Sequence, residues 1–168
     1  MDTQELKTLL SLPVETCGYV DSNLRPVVDG VSNTEGNRKL CTNNRYYKII
    51  WHTHPNDIQS YPSTEDIIKI LKPRRDGNPQ VSLIITKWGI WKLWAGKKNP
   101  VDNKLIKILD YSYSGLYHVT EKGRGELNHT SGHYIQSYID ELKYTLQKYN
   151  FDIRLTPWNS IRYDKYNI

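Results

Sequence analysis

One segment, residues 45–72, constrains the fold of this chain more than any other part of the sequence. The run RYYKIIWHTH is aromatic, β-branched and uninterrupted, which predicts a strand that ends at Pro55. The run STEDIIKILK predicts a helix with Ser63 as its N-cap and Pro73 as its stop. A domain built on this segment must therefore bring the end of a strand close to the start of a helix.

The rest of the pattern predicts a mixed α/β domain with the element order α β β β α β β α α β. The chain has 168 residues, of which 38% are hydrophobic and 24% charged, as expected of one folded domain. The third helix is expected to be short, and a loop to occupy 121–132. The other predicted elements are helices at 2–12, 63–72, 101–113 and 131–150, and strands at 14–20, 25–31, 45–54, 81–86, 90–96 and 151–158.

The chain shows no sign of membrane insertion or export. It has no run of about 20 apolar residues, and its N-terminus MDTQELKTLL lacks the apolar core of a signal peptide. An intracellular location is expected, or a place inside a virion, and no membrane contact. The two cysteines are then not expected to form a disulfide framework. The chain is rich in Asn, Lys, Ile and Tyr, whose codons are AT-rich. This composition suggests an AT-rich genome, such as that of a large DNA virus or phage.

The net charge of +5 leaves a nucleic-acid or acidic partner open. The basic residues form no known binding motif, however, so a solvated basic face is favoured and nucleic acid is disfavoured as a partner.

The histidines of the central segment are arranged like metal ligands. His52 and His54 alternate on a strand, so both side chains point to the same face. If the loop folds the helix start back over the strand end, Asp66 would complete a site of two histidines and one carboxylate. Such a site leaves a fourth tetrahedral position open for water, as in catalytic zinc centres. Taken alone, Ser63 and Asp66 are also explained as a helix-capping pair.

Glu15 and three further histidines have weaker assignments. Glu15 lies in an apolar, strand-like setting and could activate a water molecule, although a surface glutamate before a strand is equally compatible with the sequence. His129 and His133 have i, i+4 spacing, but Gly132 argues against a continuous helix there. These two and His118 are expected to be surface or loop residues.

The combined pattern resembles a known family. His-x-His-Pro, then Ser-x-x-Asp, with an upstream Glu in LPVETCGYV, is similar to the JAMM (MPN+, Mov34/JAB1) zinc metalloproteases over residues 3–96. The resemblance implies an α/β, single-domain MPN/JAB1-like fold, a mixed curved β-sheet flanked by helices as in cytidine deaminases. Residues 1–168 would form this domain, with a core at 3–96 and a C-terminal extension at 97–168 that packs on it.

The resemblance also implies a role for each site residue. His52, His54 and Asp66 would bind Zn²⁺, Glu15 would be the general base, and Ser63 would support the oxyanion. The loop between the second histidine and the serine has eight residues, one more than is usual in the family.

The implied function is a zinc metallopeptidase that hydrolyses a peptide or isopeptide bond in a protein or peptide substrate. Ubiquitin or ubiquitin-like conjugates are one substrate class, and phage or bacterial proteins another. The alternative is an MPN-fold assembly protein without turnover, for example a virus or phage component that binds a partner subunit. A third hypothesis, nucleic-acid association, rests on the charge and on likeness to the RadC branch of the family.

Overall fold

The structure, a computed structural model, describes residues 1–31, 47–55, 59–72, 80–97, 99–120, 125–162 and 165–168. Its helices and strands follow the predicted order. Short 3₁₀ turns follow at Gln147–Tyr149 and Trp158–Ser160. The elements are α1 (Thr3–Leu10), β1 (Thr16–Val20), β2 (Pro26–Val31), β3 (Ile49–Thr53), α2 (Thr64–Leu71), β4 (Val81–Thr86), β5 (Gly89–Ala95), α3 (Asn103–Val119), α4 (His129–Thr145) and β6 (Phe151–Pro157).

The six strands form one mixed sheet in the order β2-β1-β3-β4-β5-β6. β3 and β4 are parallel, and all other neighbours are antiparallel. The central strand β4 is buried on both faces, because Leu83 and Ile85 pack on one side and Ile84 on the other. This double burial explains why VSLIIT is a continuous apolar run rather than an alternating one.

Helices cover both faces of the sheet. Leu6 and Leu10 of α1 pack on one face together with Trp51. α2, α3 and α4 cover the other face and enclose a larger core, which includes Trp91 and Ile153 of the sheet. The predicted mixed α/β architecture, a sheet flanked by helices, is therefore confirmed.

The part of the chain after residue 97 belongs to the same sheet and core. β6 pairs with β5 along its whole length, from Phe151 opposite Ala95 to Pro157 opposite Gly89. The helical pattern of 131–150 predicts one apolar face, and all its members are buried in the structure: Ile135, Tyr138, Ile139, Leu142 and Leu146.

Two predicted helix boundaries are wrong. α3 has 17 residues and is not short, because its buried face continues past Tyr113 to Leu116. α4 begins before Gly132, because the Asn128 side chain accepts a hydrogen bond from the Ser131 N–H and Ser131 accepts one from the Asn128 N–H in return. This reciprocal cap starts the helix at His129, inside the predicted loop.

Two further expectations can be compared with the structure. Cys17 is disulfide-bonded, contrary to the expectation, which rested on the presumed compartment and not on geometry. The other cysteine, Cys41, lies outside the described residues. Within the described ranges, no helix combines the length and the apolar character needed to cross a membrane.

Gly18 provides a test of the packing between β1 and β2. A Cβ atom at this position would overlap the backbone carbonyl of Val27, next to the irregularity in strand register at Cys17 and Gly18. We expect Gly18→Ala to lower the free energy of unfolding by about 1–3 kcal/mol, because the two strands must separate.

Gly115→Ala is the matched control. A Cβ atom there meets nothing within 4 Å, and alanine should stabilise α3 by about 0.5–1 kcal/mol. Denaturant unfolding of both variants measures the difference, and equal stabilities would contradict the strand contact.

Candidate metal centre

Two histidines lie where β3 ends, in the middle of the sheet. His52 is opposite Cys17 of β1 and Ile84 of β4, so its backbone is held by strands on both sides. The His54 N–H donates a 2.8 Å hydrogen bond to the Ile85 carbonyl and extends the contact with β4 by one residue. His52 shares a face with Ile84, the face that α2 covers.

The first turn of α2 carries the carboxylate. Ser63 is the N-cap, as predicted, and its hydroxyl accepts a 3.2 Å hydrogen bond from the Asp66 N–H. Oδ2 of Asp66 accepts hydrogen bonds from the Ser63 N–H at 2.8 Å and from the Ser63 hydroxyl at 2.7 Å. The capping pair expected from STED is thus present, and it fixes the orientation of the Asp66 carboxylate.

The three side chains converge. The Nε2 atoms of His52 and His54 are 3.2 Å apart. Nε2 of His52 lies 3.2 Å from Oδ1 of Asp66, and Nε2 of His54 lies 3.4 Å from Oδ2. The predicted ligand set is therefore brought together, although the loop between the histidines and Ser63 is one residue longer than usual. Residues 56–58 of that loop lie outside the described residues.

The environment of His54 selects the tautomer that binds a metal through Nε2. Its Nδ1 atom lies 3.2 Å from the Gln59 carbonyl oxygen. A carbonyl can only accept a hydrogen bond, so Nδ1 must carry the proton. In the neutral ring the lone pair is then on Nε2, the atom that faces His52 and Asp66. Such a backbone partner commonly orients a metal-binding histidine.

The distances between these atoms fit a metal ion. Three ligands about 2.0–2.1 Å from a tetrahedral zinc ion would lie about 3.3–3.4 Å from one another. The two imidazole nitrogens are 3.2 Å apart, and each lies 3.2–3.4 Å from a different oxygen of Asp66, so the separations are of this size. One ligand atom from each residue lies within 4.8 Å of the others. Lone pairs and a carboxylate at such distances repel one another unless a proton or a cation lies between them. The group can therefore hold a metal ion.

Burial and neighbouring charges shift the pKa values of His52 and Asp66 in opposite directions. Burial alone would lower the pKa of His52, but the adjacent Asp66 carboxylate outweighs it and raises that pKa above its ordinary value. Burial alone would raise the pKa of Asp66, but His52 and His54 hold it well below its usual range. Asp66 is thus ionised at neutral pH, as a metal ligand must be.

Core side chains fix the loop that joins the two halves of the site. The Trp91 indole N–H donates a 2.9 Å hydrogen bond to the Ser60 carbonyl. The next residue, Tyr61, is fully buried and packs its ring against Trp88 and Tyr113. Trp88 and Trp91 are both buried in the core.

Glu15 lies beside the group. It immediately precedes β1, and the pairing of Cys17 with His52 puts residues 15 and 17 on the histidine side of the sheet. Glu15 is half-buried, and its carboxylate contributes to the raised pKa of His52. The predicted base is therefore within electrostatic reach of the predicted ligands.

The hydroxyl of Ser63 donates to Asp66 and not into open space. In this arrangement Ser63 orients a ligand, and its expected part in supporting the oxyanion stays a prediction.

The three remaining histidines are not part of the group. His118, His129 and His133 are exposed, as expected, although α4 carries the last two on one continuous helix. Among the described residues, His52, His54 and Asp66 are the one group that could hold a metal ion.

Two contributors to the site went unnoticed in the sequence. The Gln59 carbonyl acts through its backbone, so no side-chain motif could reveal it. Thr53 contacts the backbone of β1, and only the pairing of β1 with β3 discloses that contact.

Comparison of the chain with protein-family models, with curated proteins and with solved structures finds no match.

Proposed function

We propose that this chain is a zinc-dependent metallopeptidase with an MPN/JAB1-like fold, which hydrolyses a peptide or isopeptide bond. The observation that carries the proposal is the convergence of two imidazole nitrogens and a carboxylate at separations of 3.2–3.4 Å, with the Glu15 carboxylate near enough to contribute to the raised pKa of His52. Two histidines and one acidic ligand form a catalytic type of zinc site, since structural sites usually close all four positions with cysteine and histidine.

The proposed chemistry divides between the ion and the protein. Bound zinc would lower the pKa of a coordinated water and polarise the scissile carbonyl. Glu15 takes the proton from the attacking water and transfers it to the leaving amine. Ser63 holds Asp66 through its hydroxyl, and the Gln59 carbonyl keeps His54 in the required tautomer.

The accessibility of the group supports a substrate approach from the His52 side. The His52 side chain is 13% exposed, whereas those of His54 and Asp66 are 6% and 7% exposed. A protein or peptide chain, including the tail of a ubiquitin-like protein, could reach His52 and Glu15 from there. The side chains of the other two ligands are nearly buried.

Metal analysis tests this proposal. We expect about one zinc per chain in the purified protein by mass spectrometry, and none in the His52→Ala, His54→Ala double variant. A His129→Ala, His133→Ala double variant is the matched control and should keep the metal, because both residues are exposed on α4. Wild-type protein is then screened against ubiquitin chains and peptides.

Each result decides between the candidate functions. The metallopeptidase is supported if wild type contains zinc and cleaves a substrate, and if only the His52→Ala, His54→Ala variant loses the zinc. Zinc without cleavage of any substrate would favour the metal-binding assembly protein. No zinc after reconstitution would overturn the proposed site.

A further inference from the structure

Thr53 lies between the two histidines but faces away from them. Its side chain is fully buried on the opposite side of the sheet. Its hydroxyl oxygen accepts a 2.9 Å hydrogen bond from the Thr16 N–H and lies 3.4 Å from the Thr16 carbonyl, to which it donates. One side chain thus binds both polar groups of a single backbone residue in the neighbouring strand.

This contact lies where the pairing of the two strands ends. β1 and β3 pair from Tyr19 opposite Ile50 to Cys17 opposite His52. The next position brings Thr16 opposite Thr53, and there the threonine hydroxyl holds the backbone of β1. The start of β1 is therefore fixed to β3 by a side chain.

The residue before this attachment point is Glu15. The backbone of Thr16 determines where the Glu15 carboxylate emerges from the strand, and the other end of the attachment lies directly between the two histidine ligands. A general base must lie within hydrogen-bond reach of the proton that it takes. A displacement of about 1 Å in such a group can cost on the order of 10²-fold in rate.

We propose that Thr53 is a positioning residue that holds Glu15 over the metal group, an inference that rests on the proposed metallopeptidase function. Valine would fill the same space without burying a hydroxyl, whose burial is costly unless it is hydrogen-bonded. The bonds that compensate this cost are both made to the residue that follows the base. Thr53 lies between His52 and His54 in the sequence, and its hydroxyl holds the residue next to Glu15. This contact, on the opposite face of the sheet, connects the proposed ligands to the proposed base.

Cobalt-substituted protein provides a test that does not depend on turnover. The visible spectrum of bound Co²⁺ is recorded against pH for wild type and for the Thr53→Val, Thr53→Ser and Glu15→Gln variants. We expect one cobalt per chain in all four proteins. The pH midpoint of the spectral change in Thr53→Ser should equal that of wild type, because serine keeps the hydroxyl. The pH midpoint in Thr53→Val should shift from the wild-type value towards the value of Glu15→Gln.

Kinetics on a cleaved substrate add a second readout. Thr53→Val should lower kcat about 10- to 100-fold with little change in KM, and should cause no further loss when Glu15 is already glutamine. If Thr53→Val instead caused a general structural defect, it would lower kcat both in the wild-type protein and in the Glu15→Gln variant. If Thr53→Val does not fold, Thr53→Ala removes the same hydroxyl without a buried methyl in its place.

The outcomes separate the two proposals. A Thr53→Val protein that binds cobalt and titrates like wild type would overturn the role of Thr53 and leave the metal site standing. Failure of every protein to bind cobalt would overturn the metal site, and the inference with it.

Discussion

Glu15→Gln is expected to retain its zinc and to lose about 10²- to 10⁴-fold in hydrolysis rate, the range typical of general acid–base catalysis. The metal is retained because the three ligands come from other residues, which lie at the end of β3 and in the first turn of α2. The rate falls because glutamine has nearly the same shape as glutamate but cannot accept a proton. Zinc content and kcat/KM are measured on the same preparation.

The matched control is Glu65→Gln. Glu65 is an exposed glutamate directly before Asp66, and its carboxylate pairs with the exposed Lys69. Its neutralisation should leave both zinc and rate close to wild type. Unchanged turnover in Glu15→Gln would remove Glu15 from the role of base, and a loss of zinc would instead identify Glu15 as a ligand.

Asp66→Ala is expected to abolish zinc binding and to destabilise the protein through two separate effects. The first is loss of the Asp66 half of the capping box of α2, because Oδ2 of Asp66 accepts hydrogen bonds from the N–H and the hydroxyl of Ser63, which itself remains the N-cap. A hydrogen bond to a charged group typically contributes about 1.5–3 kcal/mol. The second is loss of the metal, which at a free concentration of about 1,000 times Kd would contribute about 4 kcal/mol.

Thermal unfolding with and without a chelator separates these effects. Wild type should lose much of its stability when zinc is removed, whereas Asp66→Ala should be equally stable in both conditions. Asp66→Asn keeps the volume and part of the cap, so it should retain more stability than alanine but not the metal. Glu65→Ala serves as the exposed control. An Asp66→Ala protein with full zinc occupancy would show that the ligand set is wrong.

The sequence predicted the order of the elements because hydrophobic periodicity is a local property. The apolar face of α4 follows from burial on one side and is visible in the residues themselves. The ends of α3 and α4 were missed for a different reason. Ser114 and Gly115 lie just past the predicted end of α3, and both are exposed on the helix, where a weak helix former costs little.

The candidate site was predictable where a motif lies within one element. Alternation on a strand puts His52 and His54 on one face, and the cap pattern puts Ser63 next to Asp66. The position of Glu15 depends on the pairing of β1 with β3, which are separated by a long stretch of chain. Register between distant strands is not encoded in any local pattern, so the contact between Thr53 and Thr16 could only be seen in the folded chain.

The packing of α2 has a consequence for synthesis of the protein. All three proposed ligands and Glu15 have been synthesised once residue 66 has been translated. α2, however, rests on a core whose other side chains include Leu109, Ile139 and Ile153, from α3, α4 and β6. A nascent chain that lacks these later elements cannot hold Asp66 against the histidines. We therefore expect the metal group to form only after β6 has been synthesised and can join this core.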